Sequence, residues 1–475
     1  MTTKKFSRRE FLKFGGMAAG GAVLAACAPA TTAATQAPAT EAPATEAPTG
    51  AATEAPTQAP APKTVEGHIV AAVHSGEFTA DYINAFQAAH PGITVEQVEP
   101  DPQKFFAMVA AGTPPDLLRT QGPIVPSLLA RKLLYDLTPY FNSSTMIKVD
   151  DLAGANKLYW AKSPLEIGEG NIYGMVKDWS PDFTIFVNDQ LFNDASVTPP
   201  ADDTPLSWDE VHELAKQTAK MEGDRVATWG YGFDSAWIDR FWMNALAEKG
   251  ESLYKNSFSA VDFSDDAKAI AKYFFDLTQE NLSVGPTNPS PNGWAGGDFV
   301  AKPGILAMMQ YGYWYSGEIK QDNPDLTSIS RMLPAPTWSG EHRNPCITAT
   351  GYIMVSKTQV ADAAWVIFED YMAGQPALDR AKSGWGVPAQ KSMWNLMPTE
   401  TDFDKQVQKV LAGELDVSDK ALQFNPFLGE GQFANSWNTH LNEALTDTSV
   451  GFDGLMSALE KEVNEFISEG INRVS

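Results

Sequence analysis

Apolar and polar positions alternate between a strand-like and a helix-like pattern over most of the chain. Residues 68–73 form a short apolar run, which predicts a strand, and residues 78–89 carry apolar side chains at helical spacing. Pro91 and Gly92 end this helix before a second apolar run at residues 93–98. The pattern therefore predicts a β-α-β unit at the start of the folded region.

The same alternation continues along the chain. A helix is predicted at residues 101–111, and the prolines at 114–115 end it before a short strand that begins at residues 116–118. Residues 207–210, Ser-Trp-Asp-Glu, form a capping box that marks the start of another helix. Residues 453–467 place apolar side chains on one face of a last helix. Alternating elements of this kind favour an α/β fold with mostly parallel sheets.

The first residues follow a different pattern. A basic start is followed by an apolar run at residues 14–26, which is shorter than the roughly 20 residues of a membrane-spanning helix. Residues 7–13 resemble a twin-arginine export motif, and residues 24–27, Leu-Ala-Ala-Cys, resemble a bacterial lipobox. We therefore predict a signal peptide at residues 1–26 and a lipid on Cys27. The alternative is that Cys27 is only a small residue near an ordinary cleavage site.

Residues 27–62 have the composition of a linker. They consist almost entirely of Ala, Thr, Pro and Glu, and Ala-Thr-Glu-Ala-Pro recurs at positions 39, 44 and 52. Such a segment has no large apolar side chain to bury, so we expect an extended, solvated chain. Its maximum reach is on the order of 100 Å, which is enough to hold a folded domain clear of a membrane surface.

Composition and charge limit the class of protein. The remaining chain is long enough for two domains, and 43% apolar with 20% charged residues indicates a globular fold with a sizeable core. The net charge of −24 argues against nucleic acid as a partner, because phosphates require a basic surface. Once Cys27 is assigned to lipid, Cys346 has no partner for an intramolecular disulfide, so stability must come from packing.

A series of short motifs, in one order along the chain, carries a family resemblance. Together they resemble carbohydrate-type, maltose-binding-like extracellular solute-binding proteins of ATP-binding-cassette (ABC) importers. The motifs are residues 90–95, 109–117, 133–140, 172–175, 186–188, 199–210, 312–314 (Gly-Tyr-Trp) and 384–389 (Gly-Trp-Gly-Val-Pro-Ala). Two segments depart from the family pattern, residues 177–181 and 347–355, and they leave the identity of the ligand open.

The resemblance implies an α/β, two-lobed clamp of the periplasmic-binding-protein type. Each lobe would be a mostly parallel sheet flanked by helices, with the ligand cleft between the lobes. The chain would pass from lobe to lobe near residues 182–187, 346–351 and 394–398. The implied boundaries are residues 63–181 and 351–395 for the first lobe, and 182–350 and 396–475 for the second.

The resemblance also implies a function. The chain would capture a mono- or oligosaccharide by hinge closure and deliver it to an ABC permease in the membrane. It would act as a monomer, without catalysis, and remain on the extracytoplasmic face of the cell membrane through the lipid on Cys27. We expect no cofactor and no metal site, since His212-Glu213 is followed by Lys216 where a metal motif needs histidine.

Aromatic side chains are the first candidates for ligand contact, because sugar rings place their C–H faces on aromatic rings. In a chain of this size a single Trp more often belongs to the core, so we select by loop context and family position. Trp314 belongs to the Gly-x-Trp motif, Trp179 lies at the lobe crossover, and Trp237 lies in a loop that resembles a second-lobe binding loop. Trp385 lies between two glycines, and Phe433 lies on a late helix.

Polar candidates follow the first and third predicted strands. Ser75 and Glu77 come after the first strand, and Arg119 and Gln121 come after residues 115–117, Pro-Asp-Leu, where the third strand begins. Strand ends of such sheets point into the crevice between the lobes, and sugar hydroxyls need polar partners of this kind. The alternatives are that Glu77 caps its helix and that Arg119 pairs with surface carboxylates.

Three other functions stay open at the level of sequence. A secreted glycoside hydrolase needs only two carboxylates, which 59 Asp and Glu residues can supply. A binding protein for another small polar solute, such as a polyol or a polyamine, would have the same architecture. An adhesive or structural surface protein would explain the lipid and the linker, but not the order of the family motifs.

Overall fold

Two five-stranded sheets organise the part of the chain that the structure, a computed structural model, describes: residues 65–338, 341–418 and 421–474. The predicted signal peptide, Cys27 and the predicted linker lie outside the described residues. The strands are β1 Gly67–Ala72, β2 Ile93–Val98, β3 Leu117–Gln121, β4 Trp160–Ser163, β5 Glu166–Ile172, β6 Gly174–Val176, β7 Asp178–Trp179, β8 Ile185–Asn188, β9 Lys220–Glu222, β10 Arg225–Gly232, β11 Tyr254–Lys255, β12 Ala260–Val261, β13 Leu306–Gln310, β14 Ser330–Leu333, β15 Thr350–Met354 and β16 Val387–Pro388.

Helices cover the two sheets. They are α1 Ala80–Ala89, α2 Pro102–Ala110, α3 Val125–Ala130, α4 Thr138–Ser143, α5 Asp189–Asp194, α6 Trp208–Thr218, α7 Ile238–Glu248, α8 Asp265–Gln279, α9 Ala295–Val300, α10 Tyr315–Asp322, α11 Ala361–Ala373, α12 Gln375–Ser383, α13 Asp402–Leu415, α14 Gln432–Thr446 and α15 Gly451–Val474. Short 3₁₀ turns lie at Gly122–Ile124, Val149–Asp151, Gly154–Tyr159, Ser235–Trp237, Pro324–Ser328 and Lys391–Leu396. No helix among the described residues is long and apolar enough to cross a membrane.

The first sheet, which forms the first lobe with its helices, has the strand order β2-β1-β3-β15-β6. β1 pairs in parallel with β2 and with β3, so the predicted β-α-β unit is confirmed. The helix between β1 and β2 begins after Thr79, whose hydroxyl accepts a hydrogen bond from the Tyr82 amide at 3.1 Å. Gly92 precedes β2 where a Cβ atom would lie 2.7 Å from the Val65 carbonyl oxygen, so this close approach requires glycine.

The second sheet, the basis of the second lobe, has the order β14-β8-β13-β10-β9. Helix α6 packs on β10 and starts at the predicted capping box. The Glu210 carboxylate accepts a hydrogen bond from the Ser207 amide at 2.7 Å, and the Ser207 hydroxyl accepts one from the Glu210 amide at 3.2 Å. Gly230 lets helix and strand approach, because a Cβ atom there would lie 2.1 Å from the Ala215 carbonyl oxygen.

Both sheets depart from the predicted mostly parallel arrangement. In the second sheet, β8 is antiparallel to β13 and β14, and β9 is antiparallel to β10. In the first sheet, β15 is antiparallel to β3 and β6. β9 and β10 are antiparallel because residues 223–224 join them as a tight hairpin. β8 and β15 have a different reason, since each follows a segment that crosses from the other sheet. Each of these strands therefore starts at the edge of the sheet where the neighbouring strand ends, and it runs in the opposite direction. Thr350, the first residue of β15, pairs with Gln121, the last residue of β3.

Two crossing segments, residues 177–184 and 334–349, connect the sheets. They are joined by Asp182, which is fully buried. Its carboxylate accepts hydrogen bonds from the amides of Ile347 at 2.8 Å and Thr348 at 3.0 Å. Burial raises the pKa of Asp182, and these hydrogen bonds oppose the rise. The two segments therefore cross side by side, while the predicted lobe boundaries, residue by residue, stay a prediction.

Candidate functional site

A cavity of about 200 Å³ lies between the sheets, at the edge where β3 and β13 end. We call it the interlobe cavity, because first-lobe residues that follow or end strands face second-lobe residues across it. Its lining consists of four tryptophans and six polar residues: Arg119, Gln121, Lys177, Asp178, Trp179, Trp237, Trp314, Thr348, Thr350 and Trp385. The cavity is thus aromatic and polar at once.

The second lobe supplies two of the tryptophans. Trp237 ends the 3₁₀ turn after β10, and the Asp234 carboxylate fixes that turn by accepting a hydrogen bond from the Ala236 amide at 3.0 Å. Trp314 follows β13, and its ring centroid lies 4.6 Å from that of Tyr311. Both rings are half-buried, so each is packed in place while part of its surface remains accessible.

Pairing of β7 with β16 brings the other two tryptophans to the cavity. Trp179 pairs with Val387, and Trp385 lies two residues before that partner in the chain. Trp179 is only 5% exposed, whereas Trp385 is half-buried. Trp385 rests against Gly317 of α10, where a Cβ atom would lie 3.1 Å from the indole ring. The pairing of β7 with β16 therefore places the rings of Trp179 and Trp385 on the wall of the interlobe cavity.

A buried charge cluster supports the polar side of the cavity. The Glu77 carboxylate accepts hydrogen bonds from Lys177 at 2.6 Å, from Tyr352 at 2.6 Å and from Arg119 Nε at 3.1 Å. Burial alone would raise the pKa of Glu77, but Lys177 and Arg119 lower it to about 2. Lys177 also lies 3.2 Å from the Asp178 carboxylate. Two cations and two carboxylates thus balance each other.

Glu77 therefore lies behind the cavity wall and positions Arg119, rather than lining the cavity itself. Among the described residues Arg119 forms hydrogen bonds only through Nε, which leaves its terminal N–H groups for a ligand. This geometry differs from both alternatives raised by the sequence, because Glu77 does not cap its helix and Arg119 pairs with the largely buried Glu77 carboxylate instead of with surface carboxylates.

Gln121 joins the two lobes directly. Its side-chain oxygen accepts a hydrogen bond at 3.0 Å from Arg240, which lies on α7 of the second lobe. Arg240 is buried, donates a second hydrogen bond to the Ile347 carbonyl at 2.7 Å, and lies over the Trp237 ring at 5.7 Å. The lobes therefore touch at the rim of the interlobe cavity. Beyond Arg119 and Gln121 the cleft continues into a smaller chamber of about 160 Å³ that includes Phe105 and Glu430.

Six of the nine predicted ligand-contact residues line the interlobe cavity, and three do not. Glu77 lies behind it, as described. Ser75 is exposed elsewhere, and its amide donates to the Glu99 carboxylate at 2.9 Å. Phe433 is buried against Trp242, with ring centroids 5.4 Å apart, so it belongs mainly to the second-lobe core.

Four lining residues were not among the predicted contacts: Lys177, Asp178, Thr348 and Thr350. Each lies in or beside a segment that crosses between the lobes. The first two directly precede Trp179, and the threonines fall in the second predicted crossing. Their position in or beside a predicted crossing between the lobes was the feature of the sequence that could have identified them as cavity residues. Among the described residues, no group of three or more His, Cys, Asp or Glu is placed to hold a metal ion.

Comparison with known proteins gives one family match. The family model of bacterial extracellular solute-binding proteins matches residues 71–376, more than half of the chain. No curated protein matches the sequence.

Several solved structures share the fold. An ABC substrate-binding protein from Listeria monocytogenes, in complex with cycloalternan, is 16% identical with a TM-score of 0.67, over 85% of this chain and 99% of that one. A solute-binding protein from Thermotoga lettingae, bound with α-D-tagatose, is 16% identical with a TM-score of 0.65, over 85% and 100%. The galacto-N-biose/lacto-N-biose I-binding protein of Bifidobacterium longum is 16% identical with a TM-score of 0.62, over 85% and 98%. The predicted two-lobed α/β architecture is confirmed.

Proposed function

Because the chain belongs to the bacterial extracellular solute-binding protein family, we propose that it binds a neutral carbohydrate in the interlobe cavity, as the extracytoplasmic binding component of an ABC importer. One observation carries the choice of ligand: four tryptophans share the cavity with a set of charged groups that balance one another. Sugar rings stack on aromatic faces, and their hydroxyl groups bind polar side chains. The ligands named in the neighbouring structures, cycloalternan, tagatose and lacto-N-biose, are carbohydrates too.

The charge balance disfavours an ionic ligand. Lys177 is paired with both Glu77 and Asp178, and Arg119 with Glu77. Burial would lower the pKa of Lys177, but Asp178 and Glu77 raise it, so the ammonium stays charged. An anionic or cationic ligand would meet charges that already have partners. A neutral ligand needs only the remaining hydrogen-bonding capacity of Arg119, Gln121 and the two threonines.

The proposed mechanism is closure of the two lobes over the ligand. Both lobes line the cavity, so a bound sugar contacts both and favours the conformation in which they are close. The paired crossing segments at Asp182 supply the hinge. No bond of the ligand is made or broken, and the loaded monomer delivers it to a membrane permease.

The proposed location is the extracytoplasmic face of the cell membrane, where the lipid on Cys27 would hold the chain. The linker at residues 27–62 would keep the lobes within reach of the permease and so raise their effective concentration there. This part of the proposal rests on the sequence motifs.

Thermal unfolding with candidate ligands tests the function. Sugars, polyols, amino acids and polyamines are screened, and the products of every hit are analysed. A ligand at 100 times its dissociation constant stabilises the folded state by about 2.7 kcal/mol. Trp314→Ala should remove most of that shift, since loss of a stacking ring at a binding hot spot costs about 2 kcal/mol or more.

The matched control is Trp160→Ala, which removes a half-buried tryptophan outside the interlobe cavity. It should change the melting temperature of the free protein but leave the ligand-induced shift intact. Stabilisation by charged amines alone would overturn the carbohydrate proposal. Sugar cleavage that a single carboxylate substitution abolishes would establish a glycoside hydrolase instead.

A further inference from the structure

The chamber beyond Arg119 and Gln121, of about 160 Å³, differs in its lining from the interlobe cavity. We call it the apolar chamber. Arg119 and Gln121 line both spaces, so a ligand that binds to these two residues can extend from one space into the other. The two spaces can therefore hold different parts of one ligand.

Apolar side chains of the first lobe form the floor of the apolar chamber. Phe105 of α2, Leu118 of β3 and Leu128 of α3 line it, and all three are buried. Phe106 and Ile124 lie nearer the opening, since Phe106 is exposed and Ile124 is half-buried. Because α2, β3 and α3 belong to one lobe, closure of the lobes as rigid bodies leaves the shape of this floor unchanged.

Ionisable side chains lie at the rim of the apolar chamber. His74 and Asp101 of the first lobe and Glu430 of the second are exposed, so water reaches their polar groups. His74 Nδ1 lies 3.0 Å from the Glu99 carboxylate, and the Asp101 carboxylate accepts a hydrogen bond from the Lys104 amide at 2.6 Å. An apolar floor with a few polar groups is the usual lining of a small-molecule pocket.

The floor of the apolar chamber offers few partners to the hydroxyl groups of a sugar. Its buried polar residues are Thr120 and Ser127, and the Ser127 hydroxyl already accepts a hydrogen bond from Arg131. A sugar ring carries a hydroxyl group on most of its carbon atoms, and each one that is buried without a partner weakens binding. The chamber is therefore suited to an apolar group and not to a further sugar unit.

The volume of the apolar chamber matches one aromatic ring. An engineered cavity of about 150 Å³, lined by Leu, Ile and Phe side chains, binds benzene. The chamber has about the same volume and is lined by the same kinds of side chain. The ring centroids of Phe105 and Phe106 lie 5.2 Å apart at 62°, and the Arg131 guanidinium lies 5.7 Å from that of Phe106. Two packed rings thus stand ready for the edge-to-face contacts that aromatic groups prefer.

We propose that the apolar chamber binds an aromatic ring, and that the ligand is an aryl glycoside, a sugar whose aromatic substituent enters the chamber. This inference rests on the proposed function and extends it, since it names the class of carbohydrate. The sugar occupies the interlobe cavity and binds the terminal N–H groups of Arg119, where the two spaces meet. Its substituent leaves water for the apolar floor.

Calorimetric titration of the full chain tests the proposal. The titrants are the methyl and phenyl glycosides of glucose, galactose, mannose and xylose, each as both anomers. In the series that binds, the phenyl glycoside should bind about tenfold more tightly than the methyl glycoside, because an additional apolar ring leaves water. Phe106→Ala should lower the affinity for the phenyl glycoside about fivefold and leave the affinity for the methyl glycoside unchanged. Phe106→Leu, which keeps a large apolar side chain at the opening, should restore most of the loss.

Leu165→Ala is the matched control. Leu165 is 43% exposed, close to the 41% of Phe106, but it lies in the turn between β4 and β5 and lines neither space. This variant should leave every affinity unchanged. Equal affinities of the wild type for a methyl glycoside and its phenyl counterpart would overturn the proposal, as would an equal loss for both glycosides in Phe106→Ala.

Phenol alone separates this proposal from the proposed function. In saturation-transfer NMR, phenol at millimolar concentration should receive magnetisation from the wild-type chain. The signal should weaken in Phe106→Ala but not in Leu165→Ala. Absence of this signal in the wild type would overturn the aromatic site, whatever sugars the chain binds. If phenol binds in the expected pattern but no phenyl glycoside binds, the aryl glycoside is the wrong ligand, and the ligand screen described above decides the proposed function separately.

Discussion

Replacement of Glu77 by glutamine should destabilise the folded chain strongly at neutral pH. The Glu77 carboxylate is 14% exposed and holds Lys177, Arg119 and Tyr352. Glutamine keeps the shape of the side chain but removes its charge, so two largely buried cations lose their shared partner. Leaving buried charges uncompensated in this way typically costs 3–5 kcal/mol.

The pKa of Glu77 gives an independent magnitude. It falls from 4.5 to about 2 on folding, and each unit corresponds to 1.36 kcal/mol, which gives about 3 kcal/mol at pH 7. Because the folded pKa is the lower one, this stabilisation is complete above pH 4.5 and is lost as the pH falls from 4.5 towards 2. The deficit of Glu77→Gln should therefore shrink to about 1 kcal/mol at pH 3.

Urea unfolding of wild type and variants at pH 7 and pH 3 measures this effect. Glu169→Gln is the matched control, because Glu169 bonds Lys162 at the same 2.6 Å distance but both side chains are exposed, 78% and 56%. An exposed pair of this kind contributes little to stability, because water screens both charges. Equal losses in the two variants, or a deficit of Glu77→Gln that does not change with pH, would refute the reasoning.

Three further outcomes are expected. Cys27→Ala should move the chain from the membrane fraction to the soluble fraction, because lipid is its only proposed anchor, and unchanged partitioning would contradict the lipobox. Solution scattering should show a smaller radius of gyration when a ligand is added, whereas an identical profile with ligand demonstrably bound would indicate a rigid pocket. Asp182→Ala should lower the free energy of unfolding in urea by about 3 kcal/mol or more, because it orphans the buried amides of Ile347 and Thr348. Ser180→Ala, which removes one donor to the same carboxylate, should cost less, and a reversed order would argue against this explanation.

Local signals in the sequence predicted several elements of both lobes well. The apolar runs of β1 and β2, the break at Pro91 and Gly92, and the capping box at residues 207–210 each depend on neighbours within a few residues. The mixed direction of the sheets was harder to predict, because it depends on which strands follow a crossing between lobes. That property belongs to the topology and leaves no periodic trace in the residues of β8 or β15.

The site was predictable where a strand end or a family motif marked it. Arg119 and Gln121 were predicted from a strand end, and both line the interlobe cavity. Ser75 was predicted in the same way, but its amide donates a hydrogen bond to the Glu99 carboxylate instead. Residues beyond a strand lie in a loop whose direction the strand does not set. Arg240 gave no signal, since its partner Gln121 lies 119 residues away in the chain.

The position of β15 in the first sheet also sets an order of folding. β15 separates β3 from β6, although its residues follow all strands of the second sheet. During synthesis the second sheet, from β8 to β14, is complete before the first sheet receives its missing strand. Until then β3 and β6 each present an unpaired edge, which is prone to pair with other chains. The first sheet can therefore be completed only after every strand of the second sheet has been made, although most of its own strands are made first.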